Sequence, residues 1–389
     1  MIVVHLITDL CAAGAQNQLL QFVLASDKRR FRHVVVSLAE GGTIATELKA
    51  SGIEVYSLEM RRGVPSPPGL LRLVLLLRRL RPAVLHCWLY HACLMGLLGA
   101  RLAGIQRVIW GLRSANSGLR GYSLLTRSVV RLCAKLSGFP QTIVLNSETS
   151  KIVHDQLGYQ TSRMRVIPNG VDPQLFRPDP EARAAARTGL GLSSDSVLVG
   201  LFARYSPMKD HGTFLQSAAL LHRKYPDVRF ILAGEGIAVD NQPLSRLVRE
   251  NGLQEVTYLL GPRRDIQRLT AALDLACLSS WSESFPNVLV EAMACAVPCV
   301  ASDVGDSSSI VGEAGRIVPP CNPPALAEAM GALVCTSAAE RAVLGRRARD
   351  RVLERFTLQR TVKAYEVLYG ELGEKQATRI PHEIIHSRT

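Results

Sequence analysis

No Cys-x-x-Cys pair occurs among the 389 residues. The nine cysteines (Cys11, Cys87, Cys93, Cys133, Cys277, Cys295, Cys299, Cys321 and Cys335) are scattered, most of them in apolar runs. Such spacing offers neither a disulfide framework nor a zinc site, and the thiols read as buried groups of a reducing compartment. Aromatic residues are scarce at 5%, and no stacking motif accompanies the basic ones, which argues against a nucleic-acid binder. A G-x-G-x-x-G fingerprint is absent, which weighs against a nicotinamide enzyme. Uncharged runs stay short of a membrane span. Pro82–Ala100 has 19 residues without Lys, Arg, Asp or Glu, yet it contains Pro82, His86, His91, Gly96 and Gly99. It divides into a strand, AVLHCW, and a helix, HACLMGLLGARLAG. The opening MIVVHLITDL has no basic leader and reads as a first strand.

Acidic residues are also missing where they would be expected. Between Glu59 and Glu148 there are 13 basic residues and no acidic one. Residues 1–180 carry 22 Lys and Arg against 10 Asp and Glu, whereas residues 181–389 carry 24 against 23. The excess of the +13 net charge in the N-terminal half points to an anionic partner there.

What is present is a regular alternation. With 47% hydrophobic and 20% charged residues the chain has ample core material, and its length exceeds one core. Short β-branched runs (IVVHLIT, HVVVSL, EVYSLE, AVLHCW, RVIWGLR, TIVLNS, MRVIP) are separated by helical patterns near 16–26, 70–80, 91–103 and 122–137. The pattern restarts with VLVGLFA, RFILAGE, VTYLLG, LDLACLSS, PCVAS and GRIVPP. Strands hydrophobic throughout and alternating with helices predict parallel sheets covered on both faces. The expected organisation is α/β, with two doubly wound Rossmann-like domains at 1–170 and 196–355 facing a cleft. A linker at 171–195, a closing helix at 356–375 returning to the first domain, and a tail at 376–389 complete it.

Open α/β sheets bind ligands at the carboxyl ends of their strands, so the candidates are read there. Gly14 follows the first strand, in a tight turn or at a close approach to a ligand. FARYSPMKDHG places Arg204 and Lys209 around a Pro-containing turn, where two cations reach one diphosphate from different sides. LLGPRRDI ends a strand with Gly261 and Arg263, whose backbone could read a base edge. SESFPNVLVEAMA predicts a helix starting near Phe285–Asn287 whose free N–H groups favour phosphate. Glu291 lies inside that helix, where a carboxylate accepts from ribose hydroxyls, and Glu283 sits in the loop before it.

These segments, with VIPNGVD and LAGEG, resemble the retaining glycosyltransferases of family 4, which have the GT-B fold. The resemblance implies a nucleotide-sugar donor held by the C-terminal domain, UDP ahead of GDP, and an acceptor held by the N-terminal one. It implies hexosyl or N-acetylhexosaminyl transfer with no metal and no cofactor. Carried over by position, Arg204 and Lys209 hold the diphosphate, Glu291 binds ribose, and Glu283 lies near the sugar. Phe285, Asn287 and Val288 offer backbone to sugar and phosphate, and Gly14 closes from the other domain. Three positions depart from the family's habit: Ala13 precedes Gly14 where Gly-Gly is frequent, Ser284 stands where Gly is frequent, and Arg113 stands where many members have histidine.

Arg113 and Arg120 are therefore read as anchors for an acceptor or its phosphate. His86 and His91 are either acceptor residues of the cleft or satisfied structural histidines. Asp303 and Asp306 follow a different strand from the Arg204 turn and form no metal-binding pair on the diphosphate. Two other functions remain open: an epimerase of the same fold acting on a nucleotide sugar, and a non-enzymatic binder of anionic polymers. A glycan or lipid-linked acceptor and a cytoplasmic site, peripheral and salt-sensitive at anionic membranes, complete the expectation.

Overall fold

The computed structural model describes residues 1–61, 66–115, 119, 121–193 and 196–374. Arg62, Arg120 and the expected tail at 376–389 lie outside the described residues. Two parallel sheets carry the fold. The first contains β1 (Ile2–Ile7), β2 (Arg32–Ser37), β3 (Glu54–Ser57), β4 (Val84–Trp88), β5 (Val108–Leu112), β6 (Thr142–Leu145) and β7 (Met164–Val166). Its order is β3-β2-β1-β4-β5-β6-β7. The second contains β8 (Val197–Phe202), β9 (Val228–Ala233), β10 (Thr257–Leu259), β11 (Leu275–Leu278), β12 (Cys299–Ser302) and β13 (Gly315–Val318), in the order β10-β9-β8-β11-β12-β13. Both are doubly wound, as the strand pattern predicts, and both reverse direction at one point: between β1 and β4, and between β8 and β11.

Residues of both strand faces are buried because helices cover both sides. One side of the first sheet packs on helices Pro67–Leu80, Tyr90–Ala103 and Leu124–Leu136. The other side packs on helix Gly14–Ala25 and on the last helix, Leu358–Glu374, through Tyr365, Leu368 and Tyr369. The chain thus crosses between the units twice. Val171 of the outward crossing donates to Phe356 O at 2.9 Å, and Leu358 of the return donates to Val171 O at 2.8 Å. Gly170 permits this approach, since a Cβ there would lie 2.5 Å from Thr357 O.

The stretch 171–195 is more than a connection. Asp179 caps a helix, Pro180–Gly189, by accepting from Ala182 N at 2.8 Å, with proline in its first turn. Arg183 and Arg187 of that helix both reach Asp274 at the foot of β11, fastening the segment to the second sheet. Among the described residues no helix is long and apolar enough to cross a membrane.

Candidate active site

The second sheet delivers its two key loops from the strands that flank its reversal point. From β8 the chain passes Arg204 and makes a single 3₁₀ turn, Pro207–Lys209. Asp210 then takes a left-handed conformation (φ 47°) and caps helix His211–Lys224 through Thr213 N at 3.1 Å. From β11 the chain runs into Ser279–Glu283, and this loop is pinned on the first. Ser279 Oγ donates to Lys209 O at 2.9 Å, and Trp281 Nε1 donates to Pro207 O at 2.8 Å.

Pinned together, the loops bring Lys209 Nζ to 2.5 Å from Glu283 Oε1, which also accepts from Ser280 Oγ at 2.7 Å. Both charged side chains are largely buried, at 20% and 13% exposure, so the pair is better shielded than an ordinary surface ion pair. The guanidinium of Arg204 has no hydrogen-bond partner among the described residues. The strand ends of β8 and β11 thus bring one cation against the carboxylate that balances it, and Arg204 stands on the same loop as that cation.

Helix Asn287–Ala294 begins at this place, with Pro286 in extended conformation as its N-cap. The expected start near Phe285–Asn287 is met, with Pro286 just outside the first turn. Phe285 turns its ring into the core, edge-on to Phe356 at 5.7 Å, leaving only its backbone for the cleft. Between this helix and the first unit lies a narrow crevice whose lining includes Gln18, Gln21, Asn169, Asn287 and Glu291. Glu291 is partly exposed and lines that crevice, and its burial among protein groups pushes its carboxyl up to about 7. Gly14 faces the same helix: a Cβ there would meet only Asn287 Nδ2, at an ordinary 3.8 Å. The space beside Gly14 is thus the gap between the units.

Ser284, the departure from glycine, spans the cleft. Its hydroxyl donates to Asn146 Oδ1 at 2.7 Å and pairs with Ser147 Oγ at 2.8 Å. Asp306 reaches across as well. It accepts from Glu148 N and Thr149 N, both at 3.0 Å, and so caps helix Glu148–Gln156 of the other unit. Gly305 (φ 57°) allows the intervening loop to lie against the Glu283 loop, where a Cβ would be 2.5 Å from Ser284 O.

Two family models match the chain. "Glycosyltransferase Family 4" covers residues 12–175, and "Glycosyl transferases group 1" covers residues 196–336. The chain belongs to glycosyltransferase family 4. It is 34% identical over 219 residues to a D-inositol 3-phosphate glycosyltransferase of Saccharomonospora viridis, which covers 54% of this chain and 50% of that protein. The Mycobacterium bovis protein of the same name is 34% identical over 246 residues, 61% of this chain and 50% of its own length. The chain thus spans about half the length of the curated relatives it matches. The fold is GT-B: the Anabaena protein HepE, solved with UDP and glucose, superimposes with a TM-score of 0.83 at 23% identity, covering 95% of this chain and 100% of that one.

For this family-4 chain the structure corrects several assignments from the sequence. His86 is fully buried in β4, its Nδ1 bonded to Tyr369 OH at 2.8 Å, and cannot touch an acceptor. His91, near the start of its helix, is half-buried, and burial lowers its pKa. Arg263 is closed on Asp265 by two bonds of 2.8 Å each, and Gly261 has its N–H on Ile237 O and its C=O on Gly234 N. The Gly261 backbone is thus spent within the fold, while the Arg263 ion pair engages its side chain and leaves its backbone in the strand-end loop. Arg113 is also spent on protein partners, Asn169 Oδ1 and Tyr365 OH, each at 2.5 Å, which removes it as a phosphate anchor. Val288 is half-exposed at the helix start. Sequence reasoning missed Asn169, whose amide donates to Asn287 Oδ1 at 2.8 Å, although VIPNGVD contains it. It also missed Gln18, Gln21 and Tyr365, for which no local signal existed.

The raised carboxyl of Glu291 makes a testable statement. If ribose hydroxyls donate to it, binding stabilises the charged form and releases a proton. UDP affinity should then rise by several-fold between pH 6 and 8, and Glu291→Gln should flatten the part of that rise not shared with the titration of UDP itself. Calorimetry in buffers of different ionisation enthalpy measures both.

Proposed function

We propose that this chain is a retaining glycosyltransferase that moves a hexose or N-acetylhexosamine from a UDP-linked donor to a glycan or lipid-linked acceptor without a metal ion. The observation that carries this reading is the meeting of Lys209 and Glu283, on the loop that also carries Arg204, just ahead of helix Asn287–Ala294. A donor diphosphate entering there would draw Lys209 from Glu283 and turn the freed carboxylate towards the sugar. Arg204, Lys209 and the helix amides then meet the charge that develops as the anomeric C–O bond to the diphosphate breaks. The acceptor oxygen bonds to the anomeric carbon on the same face, and its proton passes to the departing diphosphate. The UDP and glucose held by HepE favour this donor class. The inositol phosphate in the relatives' names favours an acceptor that bears phosphate. An epimerase would need acid/base groups at the sugar besides Glu283, and His86 is sealed in the core.

Mass spectrometry of donor turnover across UDP- and GDP-sugars tests the proposal. Turnover of a UDP-sugar that EDTA does not slow is expected. A strict requirement for Mn²⁺ or Mg²⁺ would refute the metal-free route, and epimerisation without acceptor would favour the alternative.

The acceptor side suggests an anionic membrane. Helices Pro67–Leu80, Tyr90–Ala103 and Leu124–Leu136 leave Leu71, Leu75, Leu98, Leu102, Leu124 and Leu132 exposed, Leu124 at 80%. Arg78, Arg101, Arg131 and Lys135 are exposed on the same helices, and no acidic residue stands on them. Basic side chains near an anionic leaflet contribute about 1 kcal/mol each, and intercalated leucines add a part that salt does not screen. Sedimentation should find the protein on anionic and not on neutral vesicles, with binding weakened but not abolished by salt. Equal binding to both, or none to either at low salt, would rule this out.

A further inference from the structure

We infer that Arg113 clamps the hinge between the two units and, through Asn169, sets the position of helix Asn287–Ala294, which makes it a positioning residue for transfer. The link to transfer rests on the function proposed above; the clamp itself does not.

Arg113 follows β5 directly, and its planar fork touches both crossings of the chain. One terminal nitrogen donates to Asn169 Oδ1 of the outward crossing, and the other donates to the hydroxyl of Tyr365, about two helix turns beyond the return crossing at Leu358. The guanidinium carbon lies over the Trp88 ring, 4.6 Å from its centroid. Asn169 and Tyr365 are themselves buried, at 5% and 1% exposure, so these bonds form away from competing water. The Asn169 amide has one acceptor and one donor side. With its oxygen taken by Arg113, its nitrogen is turned to Asn287 Oδ1 at 2.8 Å, at the first residue of the helix. The hinge and the helix start therefore share one hydrogen-bonded chain: Tyr365, Arg113, Asn169, Asn287.

Only arginine fits this post. Lysine offers a point charge that cannot hold two diverging oxygens with the fixed fork of a guanidinium while lying over the indole. Histidine, frequent here in the family, is too short to join the two crossings in the same way. The substitution thus exchanges a group that faces the cleft for one that governs how the cleft walls meet.

Hydrogen exchange on the full chain without ligand, combined with steady-state turnover of a UDP-sugar, tests this. Arg113→Lys and Asn169→Ala should speed exchange of the paired hinge amides of Val171 and Leu358, and of the helix amides of Leu289 and Val290, with β8–β13 otherwise unchanged. Tyr365→Phe should loosen the hinge amides alone. Turnover should fall by about 10–10²-fold in the first two variants, with the donor KM little changed, as expected when reacting groups are misplaced and not lost. Wild-type exchange and turnover in Arg113→Lys would overturn the clamp and return Arg113 to the role of a charge anchor. Uniform loss of protection across both sheets would reduce it to a general stabiliser. If the wild-type chain turns over no nucleotide sugar, the proposed function fails while the exchange data still decide the clamp.

Discussion

Lys209→Ala is expected to lower sugar transfer by about 10²–10³-fold in a protein that remains folded, because it removes one of the two cations available to the leaving diphosphate. The loss should appear in turnover more than in UDP affinity, since the charge Lys209 meets is greatest as the bond breaks. Glu283→Gln should be nearly as damaging for a different reason. It leaves the largely buried ammonium of Lys209 without the carboxylate charge that balances it, although the amide oxygen can still accept from it. If the two act as one unit, the double variant will be little worse than either single one, whereas independent roles would multiply the losses. Comparing kcat, KM and melting temperature of the three variants decides this. Wild-type turnover in both single variants would remove Lys209 and Glu283 from the active site.

The strands, their parallel order and the strand-end loops were legible because each rests on local pattern. A run such as VLVGLFA has one stable solution, burial on both faces, and the Lys209 turn and the Glu283 loop follow from which strands end where. What the sequence could not reveal depends on contacts between distant segments. Arg113 and Tyr365 are 252 positions apart, and Ser284 and Asn146 are 138 apart. Arg113 looked like an anion anchor because a cation at a strand end usually has no second partner, and its two acceptors arrive only when the chain has crossed between units twice. The pairing of Arg263 with Asp265 was local, yet it is a conformational choice of a surface loop, which periodicity does not encode. His86 lay in a strand that could have ended in the cleft; the last helix, bringing Tyr369, buries it.

That buried histidine belongs to a cluster with a consequence for acid stability. Trp88 Nε1 can only donate, and it donates to His5 Nδ1 at 3.2 Å, so His5 carries its proton on Nε2 and donates to His33 Nδ1 at 2.9 Å. Protonating His5 would break the Trp88 bond. Burial, followed by the neighbouring imidazoles, holds His5 well below its ordinary range, and burial followed by the charge of Arg113 does the same for His86. Burial lowers His33 and His154 to about 4. These groups have folded values below their unfolded value of about 6.5, so the stability they represent is present above pH 6.5 and is lost as pH falls towards 4. At pH 5, His33 and His154 alone account for a loss of about 2 kcal/mol each, a large share of the roughly 5–15 kcal/mol that holds a domain. The C-terminal unit behaves differently. There His211, lowered to about 4 by burial first and Lys209 second, loses a similar amount, but Glu291, raised to about 7 by burial, binds its proton more readily when folded and gains about as much over the same interval. Acidification from pH 7.5 to 5 is therefore expected to melt the N-terminal unit first, with helix Leu358–Glu374 released alongside it, while β8–β13 keep their protection. Hydrogen exchange along this pH series, read unit by unit, measures the order. Simultaneous loss in both units, or earlier loss in the C-terminal one, would show that the histidine cluster does not set the acid limit.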